Sequence, residues 1–314
     1  MRKIIAAVLA LMCLLTACSA QQERDNVGQI TYVGICMANA EHAPYRQELE
    51  KELLRLGYYV NFLDAKGDQS VQHEQIAKFI TEQYDVLIIE PVMHVAVNEI
   101  LARLEAADMP AVLLGKQPSE EVLNLWQRTC YVGFDPAQPG QVQGQIILNL
   151  TNQGDVNGDG QVACAILAGP QDHTDTQLHV EGCTATLTEA GVDAVLLCVV
   201  YGDLTATKGK QLTEGLLSDF GRDMEVLFCG SDEMAAGALE ALAASGRTVN
   251  EDIYVVGIGG DSDTLLNVSQ GIITGTAMAD YKALASQTAE AAGLLLAHDA
   301  EPVYTVNYVL KETP

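Results

Sequence analysis

Residues 30–64 read ITYVGICMANAEHAPYRQELEKELLRLGYYVNFLD, and the change of period within this stretch decides the fold. ITYVGICM is a continuous apolar run of strand length. PYRQELEKELLRLG then repeats apolar residues every three to four positions, the spacing of an amphipathic helix, and YYVNFLD returns to strand composition. Strands joined through a helix pair in parallel, by a right-handed crossover. The alternation continues: SVQHEQIAKFITEQ precedes DVLIIEP, and HVAVNEILARLEAAD precedes PAVLLGK. A second series begins at CYVGFD and runs through QVACAILA, DAVLLCVVYG, MEVLFCG and DIYVVGIG, each followed by a helix-like stretch. The sequence is therefore α/β, with two doubly wound parallel-sheet lobes in a body of nearly 290 residues, long for a single core. In such sheets ligands bind beyond the carboxyl ends of the strands, which here would face a cleft between the lobes.

The amino end fixes the compartment. MRK is basic, IIAAVLALMCLL is apolar but short for a membrane span, and LTAC follows at once, so residues 1–17 form a secretion signal. Leu15-Thr16-Ala17-Cys18 resembles the bacterial lipobox, in which the signal is cut before the cysteine and Cys18 is acylated. A plain signal peptide and a retained membrane helix are the alternatives. SAQQERDNVGQ has too little apolar surface to fold, so residues 18–28 make a lipid-anchored tether. Without Arg2 and Lys3 the 17 Lys and Arg fall to 15 against 42 Asp and Glu, a net charge of −27. Such a surface repels nucleic acid and anionic lipid, so contact with the membrane is through the anchor alone. Apart from Cys18, the mature chain has Cys36, Cys130, Cys164, Cys183, Cys198 and Cys229, most of them in apolar runs that suit small buried thiols better than disulfides.

DVNGDGQVACAI at 155–166 begins like a calcium loop of the EF-hand kind, with oxygen-bearing side chains at alternate positions and glycine at the sixth. At the twelfth, where a bidentate Glu belongs, stands Ile166 inside a strand-like run. Half a dockerin repeat is one alternative, although no second copy exists. A bare Asx/Gly turn is another.

The order of these motifs resembles the type I periplasmic binding proteins, most closely the galactose/glucose-binding branch of bacterial ABC importers. The resemblance spans roughly residues 30–312 and is strongest in MPAVLLGKQPS, CYVGFDPAQPGQVQGQII, NQGDVNGDGQV, ILAGPQDHTD, EVLFCGSDEMAAGALEAL and TGTAMAD. It implies two lobes joined by three crossing segments, expected near Pro110 to Lys116, Thr274 to Asp280 and Val306 to Tyr308, with a ligand clamped between them. The lobes would then be 29–111 plus 277–306 and 112–276 plus 307–314. For the loop it implies calcium held by Asp155, Asn157, Asp159, the Gln161 carbonyl and a distant Glu225, a carboxylate for which a bare turn would have no use. Ala163 stands where the family has a further amide ligand.

For the ligand the resemblance implies His173 and Asp175, bonded to sugar hydroxyls. The other matching positions depart from the family: His179 replaces Arg, Glu90 and Ser231 replace Asn, and Gly259-Gly260 replace an Asp for which Asp261 could substitute. Asp280 is kept. Tyr45 and Tyr201 are the plausible stacking aromatics, since Trp126 lies elsewhere. The implied function is an extracytoplasmic lipoprotein that binds a small polar molecule, most simply a galactose- or glucose-like monosaccharide, and closes around it. It would present the ligand to an ABC permease or to a membrane sensor. A carbohydrate-active enzyme is the other class, but no nucleophile elbow, phosphate loop or zinc signature supports it. A regulator of this fold would carry a DNA-binding head where this chain has an export signal.

Overall fold

The computed structural model describes residues 30–313, so the expected signal, Cys18 and the expected tether lie outside the described residues. Twelve strands and ten α-helices are described. The first series is β1 (Tyr32–Met37), α1 (Arg46–Arg55), β2 (Tyr59–Asp64), α2 (Gln69–Thr81), β3 (Val86–Ile89), α3 (Val97–Ala106), β4 (Ala111–Leu113), α4 (Glu120–Leu123) and β5 (Thr129–Phe134). The second is α5 (Gln138–Asn149), β6 (Gln161–Ala168), α6 (Thr174–Glu189), β7 (Asp193–Tyr201), α7 (Ala206–Phe220), β8 (Val226–Cys229), α8 (Asp232–Ser245), β9 (Tyr254–Gly259), α9 (Ser262–Ser269), β10 (Gly275–Ala279) and α10 (Tyr281–Leu296). β11 (Val303–Val306) and β12 (Tyr308–Glu312) end the chain.

One sheet has the order β11-β5-β4-β3-β1-β2 and the other β12-β10-β9-β8-β6-β7. β1 to β5 are mutually parallel, as are β6 to β10, while β12 runs antiparallel to β10. Each sheet reverses its winding once, between β1 and β3 and between β6 and β8. At those points neighbouring loops leave in opposite directions and open a crevice at the carboxyl edge.

Two compact units result, one running to Val132 and resuming at Ala285–Tyr304, the other covering Gly133–Leu284 and Thr305 onward. The chain passes between them three times. The first passage is at Val132/Gly133 and not at Pro110 to Lys116, which corrects both the expected boundary at 111/112 and the start of the second series at CYVGFD. β5 pairs with β4, Ala111 against Thr129, so CYVGFD closes the first sheet. The second passage falls at Leu284/Ala285, beyond Thr274 to Asp280. The third falls at Tyr304/Thr305, just before Val306 to Tyr308.

Local sequence explains the helices. Asp68 caps α2 by accepting from Ser70 N at 2.8 Å, and Thr205 caps α7. Gly246 closes α8 in the left-handed conformation, φ 75°. Ile76, Phe79, Ile100, Leu101 and Leu104 of the helices pack on Leu87, Ile89 and Leu113 of the first sheet. Each such fully buried side chain contributes about 1.5–3 kcal/mol. Two further clusters flank the second sheet, one around Leu227, Met234 and Val255, the other around Ile166, Phe228 and Val256. The six cysteines among the described residues are free thiols, five of them buried.

Candidate functional site

In the first unit the β1/β3 crevice holds Glu90 and Tyr45. Tyr45 is buried at 6% exposure. Its hydroxyl bonds the Glu90 carboxylate and stands 4.0 Å from Met37 Sδ, and Ala38 N–H donates to the same carboxylate. Tyr45 therefore holds the Glu90 carboxylate and, being buried, offers no open face for stacking, contrary to expectation. Burial pushes the Glu90 pKa up despite these two donors. The loop after β3 is fixed by Gln72, fully buried, which donates to Glu90 O at 2.7 Å and accepts from Val92 N at 3.1 Å.

In the second unit the β6/β8 crevice begins with His173 and Asp175, at the cap and in the first turn of α6. Both are exposed, and the His173 side chain makes no capping bond, so both are open to a ligand. His179, one turn further on, is not. It is buried at 5% exposure, bonded through Nε2 to Gln143 Oε1 at 2.7 Å, and its pKa is pulled down to about 4 by burial. Helical spacing turns it toward α5 and the core. Ser231 is likewise structural: its hydroxyl donates to Leu204 O at 2.9 Å and accepts from Met234 N at 3.1 Å to cap α8. Asp261 is exposed and caps α9 through Thr264 N at 2.8 Å, and Asp280 accepts from Ala283 N at 2.9 Å at the start of α10.

Two groups have no counterpart in the sequence reading. Asp232 is buried at 3% exposure; its Oδ1 accepts from Thr276 Oγ1 at 2.7 Å and its Oδ2 from Gly260 N at 2.6 Å. A Cβ on Gly257 would run into this carboxylate, and one on Gly259 would lie 2.9 Å from it. Asp232 thus pins the turn that presents Asp261, and desolvation raises its pKa. The second group is aromatic. Phe134 lies edge-on to Tyr281, centroids 5.8 Å apart, and 4.9 Å from Tyr308. Burial, Tyr281 and the Asp175 charge push Tyr308 up to about 12, while burial, then Glu233 and Asp232, raise Tyr281. These three half-buried rings, with the Asp175 charge acting on Tyr308, form an aromatic cluster of this unit. The available signal was that each flanks a passage between the units, in FDP, ADY and VNY. Tyr201, 38% exposed, ends β7. Trp126 donates Nε1–H to Met109 O at 3.1 Å and packs on the first core.

The 155–161 loop closes on itself and on Glu225. Asp155 accepts from Gly158 N and Gly160 N at 2.7 and 3.0 Å, Asn157 from Asp159 N at 2.8 Å, and Asp159 from Gln161 N at 2.9 Å. Gly158 and Gly160 have φ of 77° and 89°, which side chains resist. Glu225, 2% exposed just before β8, accepts from Val156 N, Asn157 N and Ala163 N at 2.8, 3.0 and 3.0 Å. The distant carboxylate does reach the loop, but it binds three amides, so a turn without metal does have a use for it. Among the described residues no three His, Cys, Asp or Glu side chains are grouped to hold a metal. The donor set is still all oxygen, and among the described residues Asp155, Asp159 and buried Glu225 have no cation partner in an ion pair, which fits a hard cation.

Residues 33–300 match the periplasmic binding protein domain. The chain belongs to that family. The D-galactose/methyl-galactoside binding periplasmic protein MglB of Haemophilus influenzae is 27% identical over 240 residues, 75% of this chain and 71% of the relative. The ribose import binding protein RbsB of Bacillus subtilis is 26% identical over 99% of this chain and 98% of its own. An ABC transporter solute binding protein from Bacillus halodurans, solved with bound myo-inositol, shares the fold at TM-score 0.70 and 21% identity, over 91% of this chain and 96% of that one. Membership places the chain among extracytoplasmic solute-binding proteins and not among enzymes.

Proposed function

We propose that this chain captures a small polyhydroxylated molecule, most simply a monosaccharide, and presents it to an ABC permease. The observation that carries this reading is the relationship to MglB and RbsB combined with open polar groups, His173 and Asp175, beside half-buried aromatic rings at a carboxyl edge. Asp175 accepts from two adjacent hydroxyls, His173 bonds a third, and Asp261 adds a further acceptor on the same unit. The cluster is rich in carboxylates, which favours hydroxyls or amines over an anionic ligand. Two further proposals belong to the same reading: acylation at Cys18, which holds the protein at the membrane, and calcium at Asp155, Asn157, Asp159, Gln161 and Glu225, which supplies charge neutralisation to that loop.

A thermal-shift screen with D-galactose, D-glucose, D-ribose and myo-inositol tests the ligand class. One of them at a hundredfold excess over its Kd adds about 2.7 kcal/mol to stability, and Asp175→Asn removes that shift. No heat of binding from any of these compounds in calorimetry would rule the class out. Replacing Cys18→Ser releases the protein or leaves it unprocessed, whereas cleaved and membrane-bound protein would dismiss the anchor.

A further inference from the structure

β9 ends in a Gly259-Gly260-Asp261 turn whose backbone is built for glycine. Gly259 has φ of 140° and Gly260 of 80°, a conformation that other residues rarely adopt. A Cβ on Gly260 would also run into the Met278 side chain. Glycine loses more freedom on folding than any other residue, so two in succession stay in one conformation only if something else holds them.

Asp232 supplies the hold. It stands at the start of α8, just past the carboxyl end of β8, and its buried carboxylate reaches across β9 to β10. Oδ1 accepts from the hydroxyl of fully buried Thr276, while Oδ2 accepts from Gly260 N at 2.6 Å and, at 3.4 Å, from Asp261 N. Gly257 leaves the room that Oδ1 occupies, since a Cβ there would strike it. Among the described residues no cation pairs with Asp232, so these hydrogen bonds alone offset the burial of its charge. Nor does α8 need it as a cap, because Ser231 already accepts from Met234 N. What the carboxylate secures is the turn, and the turn secures Asp261. The exposed Asp261 side chain is fixed on its other side by Thr264, Oδ1 accepting from the amide at 2.8 Å and Oδ2 from the hydroxyl at 3.2 Å. Each of its oxygens keeps a lone pair for a further donor.

We propose that Asp232 is a positioning residue of the ligand site, acting through Asp261 by holding the Gly259-Gly260 turn in one conformation. It rests on the reading of Asp261 as a ligand acceptor. Where the resemblance places an Asp directly after the strand, this chain has two glycines, and the brace from Asp232 gives the carboxylate two positions on a single defined place. Without the brace Asp261 samples other turn conformations. A ligand then binds only the fraction that is competent, and its apparent affinity falls by that fraction.

A double-mutant cycle in the full chain tests it. Calorimetry with D-galactose, D-glucose, D-ribose and myo-inositol selects the tightest of these probes, and the cycle is measured with that one. Asp232→Ala should weaken binding about tenfold in the wild-type background but less than about twofold in the Asp261→Ala background, where the group that the brace positions is already gone. Asp232→Asn should recover most of the loss, since its amide can accept from Gly260 N and donate to the Thr276 hydroxyl. Should Asp232→Ala not fold, Thr276→Val, which removes the Oδ1 donor alone, takes its place in the same cycle. Equal losses in both backgrounds would make Asp232 a general support of the unit and overturn the proposal, as would an unchanged affinity in the single variant. If the wild type binds none of the probes, the ligand reading fails by itself and amide hydrogen exchange, which needs no ligand, decides the brace. Exchange at Gly260 and Asp261 that is at least about tenfold faster in the variant supports it, and equal exchange overturns it.

Discussion

His179 shows at the scale of one residue how burial decides a role. Its imidazole donates Nε2–H to Gln143 Oε1, which also takes the Cys183 thiol at 3.2 Å, while Gln143 Nε2 lies within 3.0 Å of the carbonyls of Cys229, Val256 and Gly257. The ring is held neutral, with its pKa lowered from 6.5 to about 4 by desolvation. As pH falls through this window the unfolded chain takes up a proton that the folded chain refuses, so stability is lost, up to about 3 kcal/mol. Glu90 and Asp232 act in the opposite sense, because a carboxyl pKa raised on folding favours the folded state as pH falls. The informative quantity is therefore a difference. His179→Gln keeps an amide donor for Gln143, and urea titrations at several pH values should show that the wild type loses more stability than the variant between about pH 6.5 and 4. Parallel curves would mean that His179 is not held neutral. No feature of HTDTQLH distinguishes His173 from His179 except helical phase, which shows that the two histidines face different ways but not which one faces the core.

Among the elements, the alternation of apolar runs with 3.6-period stretches made nearly every strand and helix legible, because each buries one face against a sheet. Which sheet a strand joins was not legible: β5 looks like any other strand, and only its pairing with β4 assigns it. Asp232 was hidden for a related reason, since its place depends on Gly257, Gly259 and Thr276 arriving from other strands. Glycines also set helix contacts that no periodicity reveals. α7 and α8 touch where Gly209 and Gly237 remove side chains from the seam: a Cβ on Gly237 would run into Ala206 O and lie 2.7 Å from Lys210 N. Backbone cannot yield there as the end of a side chain can, so the helices must separate. Gly237→Ala should cost about 2–3 kcal/mol in urea denaturation, despite the better helix propensity of alanine. A gain in stability would show that the helices part freely.

For the molecule as a whole, 42 acidic against 17 basic residues make every cation a potential stabiliser, and two effects have to be separated. Salt screens the self-repulsion of the folded state, so raising NaCl from about 0.01 to 0.15 M should raise the melting temperature without regard to the identity of the cation. Calcium in the 155–161 loop would act differently, because an ion that binds only the folded form stabilises it by mass action at concentrations too low to screen. At fixed NaCl, about 1 mM calcium should raise the melting temperature where 1 mM magnesium does not, since magnesium demands an octahedral shell that a flexible loop of carboxylates and carbonyls does not offer. Glu225→Gln distinguishes the two roles of that carboxylate. An amide Nε2 in place of one oxygen would oppose backbone N–H groups that the carboxylate now accepts, costing about 2–3 kcal/mol even without metal. If calcium binds as well, the variant loses the calcium-specific increment on top of that cost, and Ala163→Gln in an otherwise unaltered chain, by adding an oxygen, enlarges the increment above that of the wild type. Equal shifts with calcium and magnesium, together with no heat in calorimetry, would leave Glu225 as a tie between amides and DVNGDGQ as a turn.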